Sequence, residues 1–240
     1  MQLEFLGTRG GIRTRSLRHQ RHSSLLITRG RHRLVIDCGT DWRGTLDELA
    51  PDAILVTHGH DDHTGGLRDG APCPVYAARR SWRGMRHLPV DGRELVPYRS
   101  RTIASFAVTA FPVVHSTRYP AAGFRVRADG HTIAYVPDVI ELRAADLAGV
   151  DLYIGDGARL VRPLVRIIRD GSRAGHTSIA TQLAWCARAG VGHAVFTHCG
   201  TEVVSAAPER VAAIVETLGA RSGVIARIAD DGLRLQVRSR

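Results

Sequence analysis

The first half of the chain alternates short apolar, β-branched runs with polar turns. These runs predict strands over residues 3–6, 24–28, 33–36 and 53–56, with Arg29-Gly30-Arg31-His32 turning the second into the third. Further strands are predicted over 106–114, 122–127 and 132–136, and Asp129-Gly130 closes the last two into a hairpin. Beyond residue 150 the pattern changes to strands mixed with helices. Strands are expected over 152–154 and 193–196, helices over 159–169, 178–189 and 208–218, and closing strands over 224–228 and 233–237. Ser178 is the expected N-cap of the second helix and Gly190 its stop, and Pro208 suits the first turn of the third. No low-complexity linker or shift in composition divides residues 1–240, so one domain is expected. Strands, then mixed elements, then strands again predict an α/β fold of two sheets packed face to face with helices outside.

Composition narrows the chemistry. All 33 basic residues are arginine, so a lysine Schiff base and a phosphate-loop lysine are both excluded. The net charge is +10, and residues 1–36 carry eight arginines against the single acid Glu4, a surplus that favours acidic partners. Cys38, Cys73, Cys186 and Cys199 stand far apart without a CxxC pair, so neither a disulfide framework nor a cysteine zinc knuckle is expected. No apolar run reaches the ~18 residues of a membrane span. The opening MQLEFLGTRGG lacks the pattern of a signal peptide. A cytoplasmic protein without membrane contact is expected, with a homodimer left open. Trp42, Trp82 and Trp185 are expected to be packing residues.

The densest chemistry lies in Thr57-His58-Gly59-His60-Asp61-Asp62-His63, just past the strand at 53–56. Imidazole and carboxylate in this concentration form the ligand set of zinc, manganese or iron rather than calcium. His58 and His60 alternate onto one side of an extended turn, while Asp62 and His63 point elsewhere, which suits a second metal.

This segment resembles the HxHxDH signature of the metallo-β-lactamase-fold superfamily, and the resemblance runs through nearly the whole chain. Ile36-Asp37-Cys38-Gly39 is similar to its strand-end aspartate motif. His115, Asp138 and His198 match its later ligands. The resemblance implies a four-layer αβ/βα sandwich with two divalent metal ions at one sheet edge, zinc first, with manganese or iron as alternatives. It implies that His58, His60 and His115 hold one ion, that Asp62, His63 and His198 hold the other, and that Asp138 bridges them. A hydroxide between the metals would then be the nucleophile. Asp37 is expected either to hold the histidine loop or to act as a turn residue.

The branch is a separate question. An aspartate at 138 argues against the major zinc lactamases, which carry cysteine there, but suits lactonases, glyoxalase-type thioesterases and phosphodiesterases alike. Gly175-His176-Thr177-Ser178 resembles the corresponding loop of the phosphodiesterase branch. That branch contains the tRNA 3′-processing endonucleases (tRNase Z) and the phosphoribosyl cyclic phosphodiesterase of phosphonate catabolism. There the histidine protonates the leaving alkoxide or binds phosphate oxygens. Asp156 falls where the endonucleases carry an acid paired to it. Capping for His176 and an ordinary turn for Asp156 are the plain alternatives. Asp62, His176 and Asp156 are therefore the expected catalytic side chains, with Asp62 also a ligand.

Only 23 residues separate His115 from Asp138, too few for the long arm of the tRNA endonucleases. The cysteine-rich zinc site usual in the cyclic phosphodiesterase is also missing between Gly10 and Arg33. The expected substrate is an anionic phosphodiester, small or cyclic, or a nucleic-acid end, although no specific nucleic-acid motif is present. A lactonase or thioesterase is the alternative enzyme, and a metal-dependent binding module the non-enzymatic one. Arg159, Arg162, Arg166, Arg169 and Arg173 recur at helical spacing and read either as a track for phosphate or as a solvated helix face. Arg9, Arg13, Arg15 and Arg18 read either as a second candidate phosphate cluster or as part of a disordered loop.

Overall fold

The computed structural model describes residues 1–167 and 171–237. Six strands follow one another in the first sheet: β1 (Gln2–Gly7), β2 (Ser24–Arg29), β3 (His32–Ile36), β4 (Ala53–Val56), β5 (Val75–Ala78) and β6 (Gly92–Leu95). The second sheet holds β7 (Ser100–Ile103), β8 (Phe106–Val113), β9 (Ala121–Ala128), β10 (His131–Tyr135) and β11 (Leu152–Asp156). A separate hairpin, β12 (Leu164–Ile167) and β13 (Arg173–His176), comes next. β14 (His193–Thr197) and β15 (Ile225–Ile228) return to the second sheet, and β16 (Leu233–Gln236) closes the first. The helices are α1 (Asp61–Thr64), α2 (Ile179–Ala189), α3 (Thr201–Val204) and α4 (Pro208–Ser222). None of them is long and apolar enough to cross a membrane.

Each seven-stranded sheet is antiparallel at one end and parallel at the other. The orders are β16-β1-β2-β3-β4-β5-β6 and β15-β14-β11-β10-β9-β8-β7. Strands β3 to β6 run parallel, as do β10, β11, β14 and β15. The inner faces are built by period-two alternation. In β9, fully buried Phe124 and Val126 alternate with the outward Arg125 and Arg127. With Leu3, Phe5, Leu25, Ile27, Phe106 and Tyr135 they form the core between the sheets. A second cluster packs α2 and α4 on the outer face of the second sheet, and a third packs Trp42, Trp82 and Leu46 on the outer face of the first. The result is a four-layer αβ/βα sandwich. All three tryptophans are buried packing residues, as their surroundings require.

Two parts of the sequence reading need correction. Residues 159–169 do not form the expected helix; from Leu164 to Ile167 the chain is β12, paired antiparallel with β13. Val165 and Ile167 are β-branched, Pro163 lacks an amide donor for a helix, and every residue of β12 is exposed, so no apolar helix face forms. Ile168 and Arg169, the end of the expected helix, lie outside the described residues. Strands β5, β6 and β7 were also not expected. In β6 and β7 only the final residue of each is buried, so neither shows alternation along its length. Elsewhere the local signals hold: the Ser178 hydroxyl accepts the Thr181 amide at 3.2 Å, and Gly190 ends α2 in the left-handed region at φ 74°.

Candidate metal centre

Every expected site residue leaves the carboxyl end of a strand or follows one closely. Asp37 follows β3, and His58 and His60 follow β4. Asp62 and His63 lie on α1, and His115 follows β8. Asp138 follows β10, Asp156 ends β11, His176 ends β13 and His198 follows β14. Ends of parallel strands in open α/β sheets are where backbone groups run out of partners, so ligand sites collect there.

The structure brings all of these side chains together. His58 Nε2 lies 2.8 Å from His60 Nδ1, and His63 Nε2 lies 3.3 Å from His198 Nε2. Asp62 Oδ2 is 3.0 Å from His198 Nε2 and 3.4 Å from His63 Nε2. Asp138 stands in the middle. Its Oδ2 is 2.7 Å from His63 Nε2, 3.2 Å from His198 Nε2 and 3.8 Å from His58 Nε2. Its Oδ1 is 3.2 Å from His176 Nδ1 and 3.7 Å from His115 Nδ1. The donor atoms of His58, His60 and His115 form one compact group, and those of Asp62, His63 and His198 another.

The chemistry of these donors fits divalent cations. Asp37 is fully buried, and its carboxylate receives the Thr57 amide at 2.8 Å, the Thr57 hydroxyl at 2.9 Å and His63 Nδ1 at 2.9 Å. A proton held on Nδ1 turns the Nε2 lone pair of His63 toward Asp138 and Asp62, a carboxylate–histidine arrangement typical behind metals. Two acceptors 2.7 Å apart repel unless a positive charge joins them. Asp138 Oδ2 accordingly has no well-directed hydrogen bond among the described residues. Burial opposes a charged His63, yet Asp62, Asp37 and Asp138 outweigh it and hold its pKa well above the ordinary value. His58, by contrast, is pushed well below its ordinary value, and His60 down to about 4, chiefly by burial. Burial also lowers His115. Neutral imidazoles are what a cation needs as ligands.

His176 and Asp156 form a second layer against this cluster. His176 Nδ1 lies 2.8 Å from Asp156 Oδ2, which also accepts the Val139 amide at 3.0 Å, while Asp156 Oδ1 accepts the Ala158 amide at 2.9 Å. Asp156 is fully buried. Burial works against a charged His176, but Asp156, Asp138 and Asp62 prevail and raise its pKa to about 9. The ring of His115 is held by the Gly175 carbonyl at 3.0 Å, so the β13 loop touches both histidines.

The arginine clusters are largely committed elsewhere. Arg9 is 2% exposed and pairs with Asp41 at 2.5 Å, Arg15 also pairs with Asp41, and Arg18 pairs with Asp230. Arg159 pairs with Glu202 and Arg173 with Glu141. Arg13, Arg162 and Arg166 remain exposed to solvent. Cys199, next to His198, is fully buried, and burial drives its thiol pKa well up, so it packs rather than reacts.

Three features were not anticipated. Tyr119 packs against His60 with ring centroids 4.4 Å apart and the planes tilted by 58°. Gly10 and Gly11 lie directly on the ligands: a Cβ on Gly10 would sit 3.0 Å from the His198 ring, and one on Gly11 2.9 Å from Asp62 Oδ2. Gly39 is tighter still, because a Cβ there would fall 2.2 Å from the backbone oxygen of Asp62. Gly39→Ala should therefore push α1 off its seat and cost ~1–3 kcal/mol, as overpacking typically does. Urea unfolding of the two proteins measures this, and equal midpoints would refute the contact.

Acid and base should both weaken the chelator-treated protein. His22 and His60 have folded pKa values of about 4 against an ordinary 6.5, both lowered first by burial. Unfolding then takes up protons at intermediate pH, so their contribution is present above pH 6.5 and lost as pH falls toward 4. His176 has the opposite sign: its contribution is complete below 6.5 and lost as pH rises through about 9. Urea midpoints measured from pH 4 to 9 should peak between these limbs. A profile rising steadily across the whole range would contradict the assignment.

Comparison with known proteins agrees with this geometry. Residues 32–199 match the family model described as the beta-lactamase superfamily domain. The chain belongs to the β-lactamase superfamily. Among curated relatives of this superfamily member is the ribonuclease Z of Mycolicibacterium paratuberculosis (strain ATCC BAA-968 / K-10). It is 26% identical over 239 residues, covering 78% of this chain and 82% of the relative. Two solved structures share the fold. Zn(2+)-bound PqqB from Methylobacterium extorquens superimposes with a TM-score of 0.73 at 19% identity, covering 99% of this chain and 100% of that one. The short form of human tRNase Z gives a TM-score of 0.63 at 18% identity, covering all of both chains. The chain is thus a superfamily member whose His/Asp groups suit metal ions.

Proposed function

We propose that this protein is a dinuclear metal-dependent phosphodiesterase acting on a small or cyclic phosphodiester or on a nucleic-acid end. His58, His60 and His115 would hold one ion, Asp62, His63 and His198 the other, and Asp138 both. Zinc is the first candidate. When bound, such cations lower the pKa of water and offset charge developing on phosphoryl oxygens.

The observation that carries the choice of reaction is the His176–Asp156 pair at 2.8 Å beside Asp138. Ester and lactone hydrolysis have little need of such a pair, whereas a phosphodiester must expel an alkoxide. Asp156 holds Nδ1–H of His176, which leaves Nε2 as the atom that delivers a proton to that leaving oxygen. A raised pKa keeps the imidazole protonated at neutral pH, and cations bound beside it would bring the value down toward the working range. The ribonuclease Z relative supports a phosphodiester substrate. The connection from β8 to β9 spans only residues 114–120, and the one from β9 to β10 is the turn Asp129-Gly130, so no arm projects between His115 and Asp138. That favours a substrate gripped at its reacting end.

The test is a screen of metal-loaded protein on bis(p-nitrophenyl) phosphate, cyclic nucleotides, 3′-extended RNA, lactones, thioesters and a cephalosporin. Phosphodiesters should give the highest kcat/KM. A lactone or thioester turned over faster than every phosphodiester would replace this reading with the lactonase or thioesterase one.

A further inference from the structure

Behind Asp156 the sheet has a gap. Strand β10 pairs with β11 as far as Tyr135 opposite Ile154, and the Val136 amide still reaches the Ile154 carbonyl at 2.8 Å. There the chain leaves the sheet to carry Asp138 into the site. Along a strand, backbone groups two residues apart face the same neighbour, so the amide and carbonyl of Asp156 face the place that β10 has vacated. On the other side β14 continues, with the Gly157 amide bonded to the Thr197 carbonyl.

Gln182 fills that place. It is the fourth residue of α2, closing the helix's first turn, and is fully buried. Its Oε1 accepts the Asp156 amide at 2.9 Å, and its Nε2 donates to the Asp156 carbonyl at 2.7 Å. One side-chain amide thus supplies both bonds that a neighbouring strand would have made. The amide is itself oriented by the Tyr153 hydroxyl, which donates to Oε1 at 2.9 Å, and by the Ser178 carbonyl, which accepts from Nε2 at 3.3 Å. Gly155 leaves the room for it, since a Cβ there would sit 2.5 Å from Gln182 Oε1. All of this amide's bonds are used, and losing it would leave two buried backbone groups unpaired.

We infer that Gln182 is a positioning residue for the reaction. Its amide stands in for the missing strand, fixes the backbone of Asp156, and through the Asp156 carboxylate sets the ring of His176 toward the leaving group. The inference rests on the proposed phosphodiesterase reading, in which His176 is the proton donor.

Gln182→Met keeps the length of the side chain and removes its donor and its strong acceptor. Tyr153→Phe removes a bond of equal burial on the far side of the same amide while leaving the clamp on Asp156 in place. In zinc-loaded Gln182→Met, kcat on an alkyl phosphodiester should fall about tenfold, a fraction of the ~10²–10⁴ that general-acid help supplies. On bis(p-nitrophenyl) phosphate the loss should be small, and metal content should stay at the wild-type level. The proton NMR resonance of His176 Nδ1–H should be lost or shifted in Gln182→Met and kept in Tyr153→Phe.

Loss of metal in Gln182→Met, or the same substrate split in Tyr153→Phe, would overturn the inference. If His176→Ala loses equally on both substrates, the phosphodiesterase reading has failed, and the Nδ1–H resonance alone then decides whether Gln182 sets the ring. If Gln182→Met does not fold, hydrogen exchange in the wild type decides. The Gln182 side-chain amide protons should exchange as slowly as the Asp156 amide, and fast exchange would refute the clamp.

Discussion

Replacing Asp138 by alanine is expected to abolish turnover and to leave fewer than two metal ions per chain, while the protein still folds. Asp138 is 2% exposed, and its two oxygens face five imidazoles between 2.7 and 3.8 Å away. Among the described residues no other carboxylate reaches both groups of donors. His198, His115 and His63 overcome the penalty of burial and hold its pKa well below the usual carboxylate range, so it stands ready as an anion. Without it the imidazoles would have to gather two divalent cations against little negative charge. The loss should exceed the ~10–100-fold in affinity that follows removal of an outer partner. Asp37→Asn is such a removal: it weakens only the grip on His63 and Thr57 and should fall within that range. Elemental analysis after loading with zinc, together with kcat, measures both variants. Two ions per chain and undiminished turnover in Asp138→Ala would end the bridging assignment.

The difference between these two aspartates also shows what a sequence can and cannot disclose. Four of the seven candidate ligands were legible as one dense His/Asp segment, His58 to His63, and the other three only through the resemblance of their motifs to the superfamily's. Asp37 was legible with two roles left open, and only its bonds to Thr57 and His63, 20 and 26 residues away, choose the one that holds the histidine loop. Gln182 was not legible at all. In sequence it is one polar residue on an amphipathic helix, and only the departure of β10 from the sheet creates the two backbone groups it satisfies. The arginines misled for a related reason. Spacings of three and four residues fit a helix, but Val161, Val165 and Ile167 are β-branched and residues 164–167 pair with β13 instead. Once paired, it cannot present a single basic stripe, and Arg159 and Arg173 at its two ends are held by Glu202 and Glu141. Charge counts are likewise silent about partners. Arg9 looked like a free cation beside the site, and it is instead buried against Asp41, bracing the Gly10-Gly11 loop that lies on Asp62 and His198.

His176→Ala should cut kcat strongly on an alkyl phosphodiester and mildly on bis(p-nitrophenyl) phosphate, with both metals retained. The argument turns on the leaving group. An alkoxide is strongly basic and departs only if it is protonated or held by a cation, whereas p-nitrophenolate is stable in water and needs little help. A positioned imidazole typically supplies 10²–10⁴ in rate, so a loss of about that size is expected on the alkyl ester. The geometry meets the requirement at each point. Nδ1 is fixed by Asp156, the ring lies against Asp138, and the other nitrogen is left without a protein acceptor among the described residues. Asp156, Asp138 and Asp62 outweigh the penalty of burial and keep the imidazole protonated at neutral pH. Metal loss cannot mimic the result, because it would depress both substrates together and would show in the elemental analysis. Asp156→Asn should follow the same pattern more weakly, since the amide can still accept from Nδ1 but no longer favours the charged ring. An equal loss on both esters would deny His176 the role of acid. No loss on either would leave the metal centre without a partner specific to phosphodiesters, and the lactonase or thioesterase reading would then be the better account of the same ligands.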